Sequence, residues 1–278
     1  MVKQTKKLTA QTTVTTVNSN QKFPMTDANG NVTLISLANL KTALMGGMNL
    51  NALEDGIFIM YHRKSDNYPL MVKPHKWTST QSGGEVADGV VVVEGGKILV
   101  VAPTESATKL TWSSAAVSGG GVTTSDRVTA MNDWAGKANT TAQITHAEAS
   151  GAGYAPGFCA NYSRVNANNQ GLTAGKWWLP SLGEMMMIYA NMTKINYALS
   201  LIDGATQLVE DAYWTSTERS AAHAWGLNLD DGHAYYSAKA SYTSRVRAVS
   251  ASLTDLSNSI YQTHKTNGYN GGYLRGIL

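Results

Sequence analysis

Six histidines, His62, His75, His146, His223, His233 and His264, are the side chains best suited to proton transfer or metal binding near neutral pH. None stands in the HExxH or other paired spacing that brings two ligands onto one helix face, so they do not assemble a metal site. Cys159 is the only cysteine, which excludes an intramolecular disulfide and every zinc motif built on paired cysteines; it reads as a small buried hydrophobe. Met185-Met186-Met187 offers three thioethers, but successive helical residues point to different faces, which is the pattern of core packing. Gly119-Gly120-Gly121 lacks the lysine that follows the glycines of a phosphate-binding loop and reads as a flexible turn. Arg245 and Arg247 have the spacing of alternate strand residues, so at least one should face inward or across strands. Glu218 is the expected partner, in a structural ion pair rather than a catalytic one. The chemistry-bearing residues therefore predict no catalysis, no metal and no cofactor.

With 43% hydrophobic and 8% aromatic residues among 278, the chain can bury at least one core and has room for one to three domains. Only 15% of its residues are charged, so Ser, Thr, Asn and Gly must cover the rest of the surface, a composition common in secreted or virion adhesins. The net charge of +3 is mild, and lysines cluster only at Lys3, Lys6 and Lys7, which suits a solvated terminus. No basic stripe follows the aromatics, so no nucleic-acid partner is expected. Met1 to Thr13 carries Thr and Gln where a signal peptide needs an apolar run, and no stretch is long enough to span a membrane. The expectation is a protein made in a cytosol that leaves it, if at all, by assembly or lysis.

Several elements must position these residues. Leu8 to Val17 reads as an extended segment, and Ser36 as the cap of a short helix carrying Leu37, Leu40 and Leu44. One helix and two strands cannot bury a core, so residues 1–52 are expected to be an attachment or oligomerisation segment. Residues 53–85 read as connecting strands, at 55–61 and 68–73. Gly89 to Glu94 and Lys97 to Ala102 are β-branched runs joined by Gly95-Gly96, which predicts a hairpin because the turn needs positive φ. A helix is expected from Ser125, with Val128, Met131, Ala135 and Ala138 on one face and Trp134 beside them. A second begins at the capping box Ser181-Leu182-Gly183-Glu184 behind Pro180, with Leu182, Met185, Tyr189 and Met192 inward. Short strands then follow at 213–217, 224–229, 234–236 and 245–250. The fold class that this order predicts is α+β, with two helices and short antiparallel sheets.

Gly136-Lys137-Ala138-Asn139-Thr140, Tyr154-Ala155, Cys159 and Tyr162, and Trp178-Leu179-Pro180-Ser181 with Glu184 carry a resemblance. So do Tyr213-Trp214-Thr215-Ser216-Thr217-Glu218, Ala224-Trp225 and Arg245-Val246-Arg247. In order and spacing they resemble the C-terminal domain of Legionella collagen-like adhesins, a family of C-type-lectin-like fold, over about residues 86–250. The resemblance implies a ligand-binding domain at 86–250 and leaves 251–278 as a C-terminal tail. More narrowly, the chain resembles the variable proteins of diversity-generating retroelements in phages. This implies a kept framework of Trp214, Ser216, Glu218, Ala224, Trp225, Leu227, Leu229, Gly232, Lys239 and Val246. Interleaved with it is a displayed, variable set: Arg219, Ala222, His223, Gly226, Asn228, Asp230, Asp231, His233, Tyr235, Tyr236, Ser237, Ser241, Tyr242 and Ser244.

The alternation of Trp225, Leu227 and Leu229 with Gly226, Asn228 and Asp230 is consistent with one apolar and one displayed strand face. A displayed set rich in Tyr, Ser, His and Asn has the chemistry of a paratope. The fold also occurs in formylglycine-generating enzymes, whose chemistry uses reactive cysteine, and Cys159 offers no partner thiol. Asn228, Asp230 and Asp231 supply some of the oxygens calcium needs, without the Glu-Pro-Asn type of motif that calcium-dependent lectins carry. The resemblance thus implies a phage tail or virion fibre protein that binds a bacterial surface receptor, protein or glycan, and contacts other virion proteins through its N-terminal segment. A homotrimer is expected by analogy to fibre proteins. The alternatives are a bacterial surface adhesin of the same fold and a structural virion protein.

Overall fold

A computed structural model describes residues 22–26, 31–36 and 54–251. The extended segment expected at Leu8 to Val17, the helix expected after Ser36 and the tail beyond Ala251 lie outside these residues. The chain divides into two compact units, Met1–Ala52 and Leu53–Leu278. In the first, β1 (Lys22–Thr26) and β2 (Val32–Ser36) pair antiparallel, and the side chains of Val32 and Leu34 are largely exposed.

The second unit opens with β3 (Gly56–Arg63), β4 (Tyr68–Val72), α1 (Pro74–Ser82), β5 (Ala87–Glu94) and β6 (Lys97–Val101). Gly95 and Gly96 join the last two strands with φ of 54° and 74°, the left-handed values that the hairpin turn requires. Val90 and Val92 pack into one hydrophobic cluster while Val91 and Val93 pack into another. A strand covered on both faces has no polar alternate positions, which is why β5 reads as an unbroken β-branched run. Residues 53–85 do more than connect: β3 pairs with both β4 and β5 inside the main sheet. The same stretch holds a helix that the sequence reading missed, started by Pro74 in its first turn and anchored by the wholly buried Trp77.

After β7 (Leu110–Thr111) come α2 (Arg127–Met131) and α3 (Gly136–Gln143), where a single helix from Ser125 was expected. Asp126, not Ser125, is the N-cap, and Val128 and Trp134 lie exposed instead of forming an inner face. The break falls at Asp133, whose buried carboxylate accepts from Ala135 N (2.8 Å), Asn139 Nδ2 (2.8 Å) and Thr217 Oγ1 (2.7 Å). The short elements α4 (Ala147–Ser150), α5 (Ala155–Asn161), β8 (Arg164–Val165) and β9 (Gly171–Leu172) follow. Then α6 (Leu182–Ala190) begins at the expected capping box, and α7 (Met192–Ser200) continues from it. Met185 and Met187 are buried and Met186 packs against the same cluster, so the three thioethers serve the core.

The chain closes with β10 (Ala212–Glu218), β11 (His223–Asn228), β12 (Ala234–Ala238), β13 (Thr243–Ser244) and β14 (Val249–Ser250). β14 returns to the first sheet, whose order is β14-β6-β5-β3-β4, while β10-β11-β12 forms a separate antiparallel sheet. The continuous strand expected at 245–250 is reduced to β14. The architecture is α+β, with seven helices among the described residues rather than two.

Candidate ligand-binding surface

The sheet β10-β11-β12 lies between the two hydrophobic clusters, with Tyr213, Trp225, Leu227 and Ala234 in one and Trp214 and Ala224 in the other. Burying a tryptophan is favourable only if its indole N–H keeps a partner, and each one here does. Trp112, Trp214 and Trp225 donate to the carbonyls of Thr215 (3.0 Å), Leu110 (2.9 Å) and Thr124 (2.9 Å).

At the end of β10 a register shift between Trp214 and Glu218 accompanies a buried ion pair. Glu218 Oε2 lies 2.5 Å from Lys239 Nζ, and both side chains are fully buried. The carboxylate also accepts from Gly119 N (2.9 Å) and Gly121 N (3.2 Å). The ammonium donates to Val117 O (2.7 Å) and stands 4.2 Å from the Trp112 ring centroid. Burial lowers the Lys239 pKa, and Glu218 acts against that shift. Glu218 is therefore not the partner of the arginines, a correction to the sequence reading. Arg245 pairs with Glu105 and with Asp211, and the fully buried Arg247 donates to Glu105 Oε2 (3.2 Å) and to the carbonyls of Ala102, Thr206 and Gln207.

The fourteen positions expected to be displayed do not form one surface, because residues paired across a ladder share a face and the next pair takes the other. Trp225 pairs with Tyr236 and His223 with Ala238, on one face; Gly226 pairs with Tyr235 and Ala224 with Ser237, on the other. On the first face the Arg219 guanidinium stacks 3.8 Å above the Tyr236 ring, and His223 and Trp225 meet that ring edge-on at 5.9 and 5.7 Å. Tyr236 is 46% exposed, and Ala222, next to His223 at the β10–β11 turn, is open to solvent.

On the second face Tyr242 is 44% exposed and Ser241 is exposed, but Tyr235 is half-buried and tied down. Its hydroxyl bonds Ser244 Oγ (2.7 Å), its ring packs against Trp214 and Tyr242, and burial raises its pKa. A Cβ on Gly226 would stand 2.3 Å from Tyr235 Cζ, so this strand position has to be glycine for the ring to lie flat. Gly226 and Ser244 are buried, Ser237 is half-buried, and Gly226, Tyr235 and Ser244 are corrected from display to scaffold. A third group surrounds the β11–β12 turn. Asp230, Asp231 and His233 are exposed and Asn228 half-buried, with Asp230 and Asp231 oxygens accepting from N–H groups of the turn itself. Beside Leu229, which follows β11, lies a shallow depression of about 620 Å³ lined by Tyr189, Met192, Asn196 and the exposed Tyr197. Tyr197 sits on α7, beyond Met192, the last residue that the sequence reading placed on the inward face.

Elsewhere, His62 Nδ1 lies 2.6 Å from Asp88 Oδ2, and burial raises the Asp88 pKa against the lowering effect of His62. Cys159 is buried and its thiol pKa is raised by that burial. Among the described residues no three His, Cys, Asp or Glu side chains cluster as metal ligands, and no helix is long and apolar enough to cross a membrane. No protein-family model matches the chain, and no curated protein matches it.

Proposed function

We propose that the second unit is a C-type-lectin-like domain displaying an exchangeable ligand-binding surface, and that the chain is a phage receptor-binding protein of the tail or virion fibre. In this reading residues 1–52 fix it to the particle as a homotrimer, and a retroelement diversifies the segment from Arg219 to Ser244. The observation that carries the reading is the surface stack of Arg219 and Tyr236 on a hairpin whose ends are held underneath by the buried Glu218–Lys239 pair. An exposed aromatic on such a fixed base gives contact area at little entropy cost.

The residues behind the resemblance support it by their placement. The stretch from Trp178 to Glu184 starts α6, the stretch from Tyr213 to Glu218 is β10, and Arg247 is locked to Glu105. All three are interior parts, as a kept framework requires. The displayed set is narrower than the resemblance implies, because Gly226, Tyr235 and Ser244 belong to the scaffold. The exposed Val32 and Leu34 in the first unit suit a partner subunit, and several copies on one particle would turn weak single contacts into firm attachment.

The test is adhesion of the labelled full-length chain to intact host bacteria. Tyr236→Ser and Tyr242→Ser should alter adhesion while leaving the melting temperature nearly unchanged. Adhesion indifferent to both would refute the reading. Recovery of the chain from purified virions separates it from a bacterial surface adhesin, and the flanking DNA should hold a reverse transcriptase and an adenine-rich near-copy of the region encoding Arg219 to Ser244.

A further inference from the structure

Arg219 is a cation that the fold positions without pairing. Its backbone N–H bonds His223 O at 3.0 Å and closes the β10–β11 turn, so the side chain leaves from a fixed point. The adjacent carboxylate, Glu218, is turned inward and taken by Lys239. On the adjoining segment Thr124 N bonds Glu218 O at 2.9 Å. Asp126, two residues on, accepts at Oδ1 from Thr129 N and Thr129 Oγ1, both at 2.7 Å, and forms no ion pair with Arg219. Among the described residues Arg219 makes no ion pair, and its Nε is shielded from solvent with no hydrogen-bond partner. The guanidinium's terminal N–H groups, for which the described residues supply no acceptor, are the donors that an incoming anion would meet.

A guanidinium lying flat on a ring keeps its N–H donors in its own plane, where they form a fork matched to the two oxygens of a carboxylate or phosphate. The guanidinium carbon stands 3.8 Å from the Tyr236 ring centroid, and the Tyr236 hydroxyl and His223 imidazole stand beside it as hydrogen-bonding groups. The patch is small. A protein partner would need about 800 Å² on each side, whereas three side chains flanked by Ser220, Ala221 and Ala222 match one or two sugar units.

Resting on the display reading of this hairpin, we infer that the Arg219–His223–Tyr236 patch binds an anionic saccharide. Its carboxylate or phosphate lies in the Arg219 fork, and its ring lies against Tyr236 and His223.

The experiment titrates the full-length chain with methyl glucuronide, inorganic phosphate and methyl glucoside, followed by calorimetry and by NMR of the arginine side-chain N–H signals. At least one anion should bind saturably, with the glucoside about tenfold weaker or worse. Binding of glucuronide alone assigns a carboxylate, and binding of phosphate alone a phosphate. Arg219→Gln should lower anion affinity about tenfold or more with an unchanged melting temperature, and Arg219→Lys should restore only part of it, because an ammonium cannot make the fork. Equal binding of the neutral glucoside, no binding by any of the three, or unaltered affinity in Arg219→Gln would overturn the assignment. If Arg219→Gln keeps its anion affinity while Tyr236→Ser still abolishes cell adhesion, the ligand class falls and the display reading stands. If anion binding depends on Arg219 but adhesion is indifferent to both substitutions, the ligand site stands and the receptor reading falls.

Discussion

Replacing Lys239 with methionine removes one half of the buried pair while keeping most of the side-chain volume, so no cavity opens. A lone charge left in a buried position costs about 3–5 kcal/mol. Glu218 keeps the N–H groups of Gly119 and Gly121 and the Gln143 amide at 3.4 Å, which moves the cost toward the lower end of that range. Loss of the ammonium 4.2 Å from the Trp112 ring adds about 1 kcal/mol. The expected loss is about 4 kcal/mol, which in a unit of this size lowers the melting temperature by roughly 10 °C. Glu218→Gln alone should cost a similar amount, because it strands the ammonium. The double variant should cost about 2 kcal/mol less than the two single losses added together, since glutamine still accepts from the glycine loop without a charge to neutralise. Thermal and urea unfolding, followed by the near-ultraviolet circular dichroism of the buried tryptophans, measures all three. Tyr236→Ser, at the surface, should stay within about 1 kcal/mol of the parent. If Lys239→Met is no worse than Tyr236→Ser, or if the coupling is near zero, the pair does not hold the hairpin and the separation of scaffold from display fails.

Glu184 should make the stability of the protein depend on pH. Burial pushes its carboxyl up to about 7 against the hydrogen bonds from Ser181 N and Trp178 Nε1 that hold it down, and nearby Asp133 adds to the rise. Between the ordinary glutamate range and about 7 the folded state alone holds the proton, so stability falls as pH climbs through that window, by about 3 kcal/mol in all, and levels off above it. Glu184→Gln should flatten this slope in urea midpoints taken from pH 5 to pH 8; an unchanged slope would place its origin elsewhere. Gly226→Ala should cost about 1–3 kcal/mol, because the new methyl group meets the Tyr235 ring and must displace it from Ser244. A melting curve like the parent's would show that Tyr235 is free to move and not part of the scaffold.

What could be read in the sequence is what local chemistry dictates. Gly95-Gly96 announces a positive-φ turn, and Ser181 with Glu184 announces a helix start, because each motif satisfies its own backbone within a few residues. The helix expected from Ser125 failed for the opposite reason. Asp133 leaves the helical path to accept from Thr217, a partner 84 residues away that no periodicity shows. The spacing of Arg245 and Arg247 required at least one of them to face inward or across strands, but the acceptor Glu105 lies 142 residues before Arg247 and gave no local sign. The helix at Pro74–Ser82 carried a signal that went unused, a proline at a helix start followed by an inward tryptophan. The division of Tyr235 from Tyr236 was also legible, since neighbours in a strand must point to opposite faces. Treating both as displayed followed the resemblance instead of the alternation.

In the proposed reading, the interior of this unit is what lets the hairpin accept exchanged residues. Strand register is normally set by which side chains are buried, and a one-residue slip would turn Tyr235 outward and Tyr236 inward. If the outward residues of β12 vary, they cannot specify that register, so other residues must. Ala234, buried at the start of β12, and the close fit of Tyr235 over Gly226 set it within the strand. Lys239, just beyond its end, sets it a second time by reaching Glu218 and Val117 O, while Trp112 N bonds Lys239 O at 2.9 Å. None of these contacts uses the side chain of Arg219, Ala222, His223 or Tyr236. A buried ion pair is an inefficient way to gain stability compared with well-packed apolar residues. Its partners do have to meet at one geometry, and here that geometry exists in only one register.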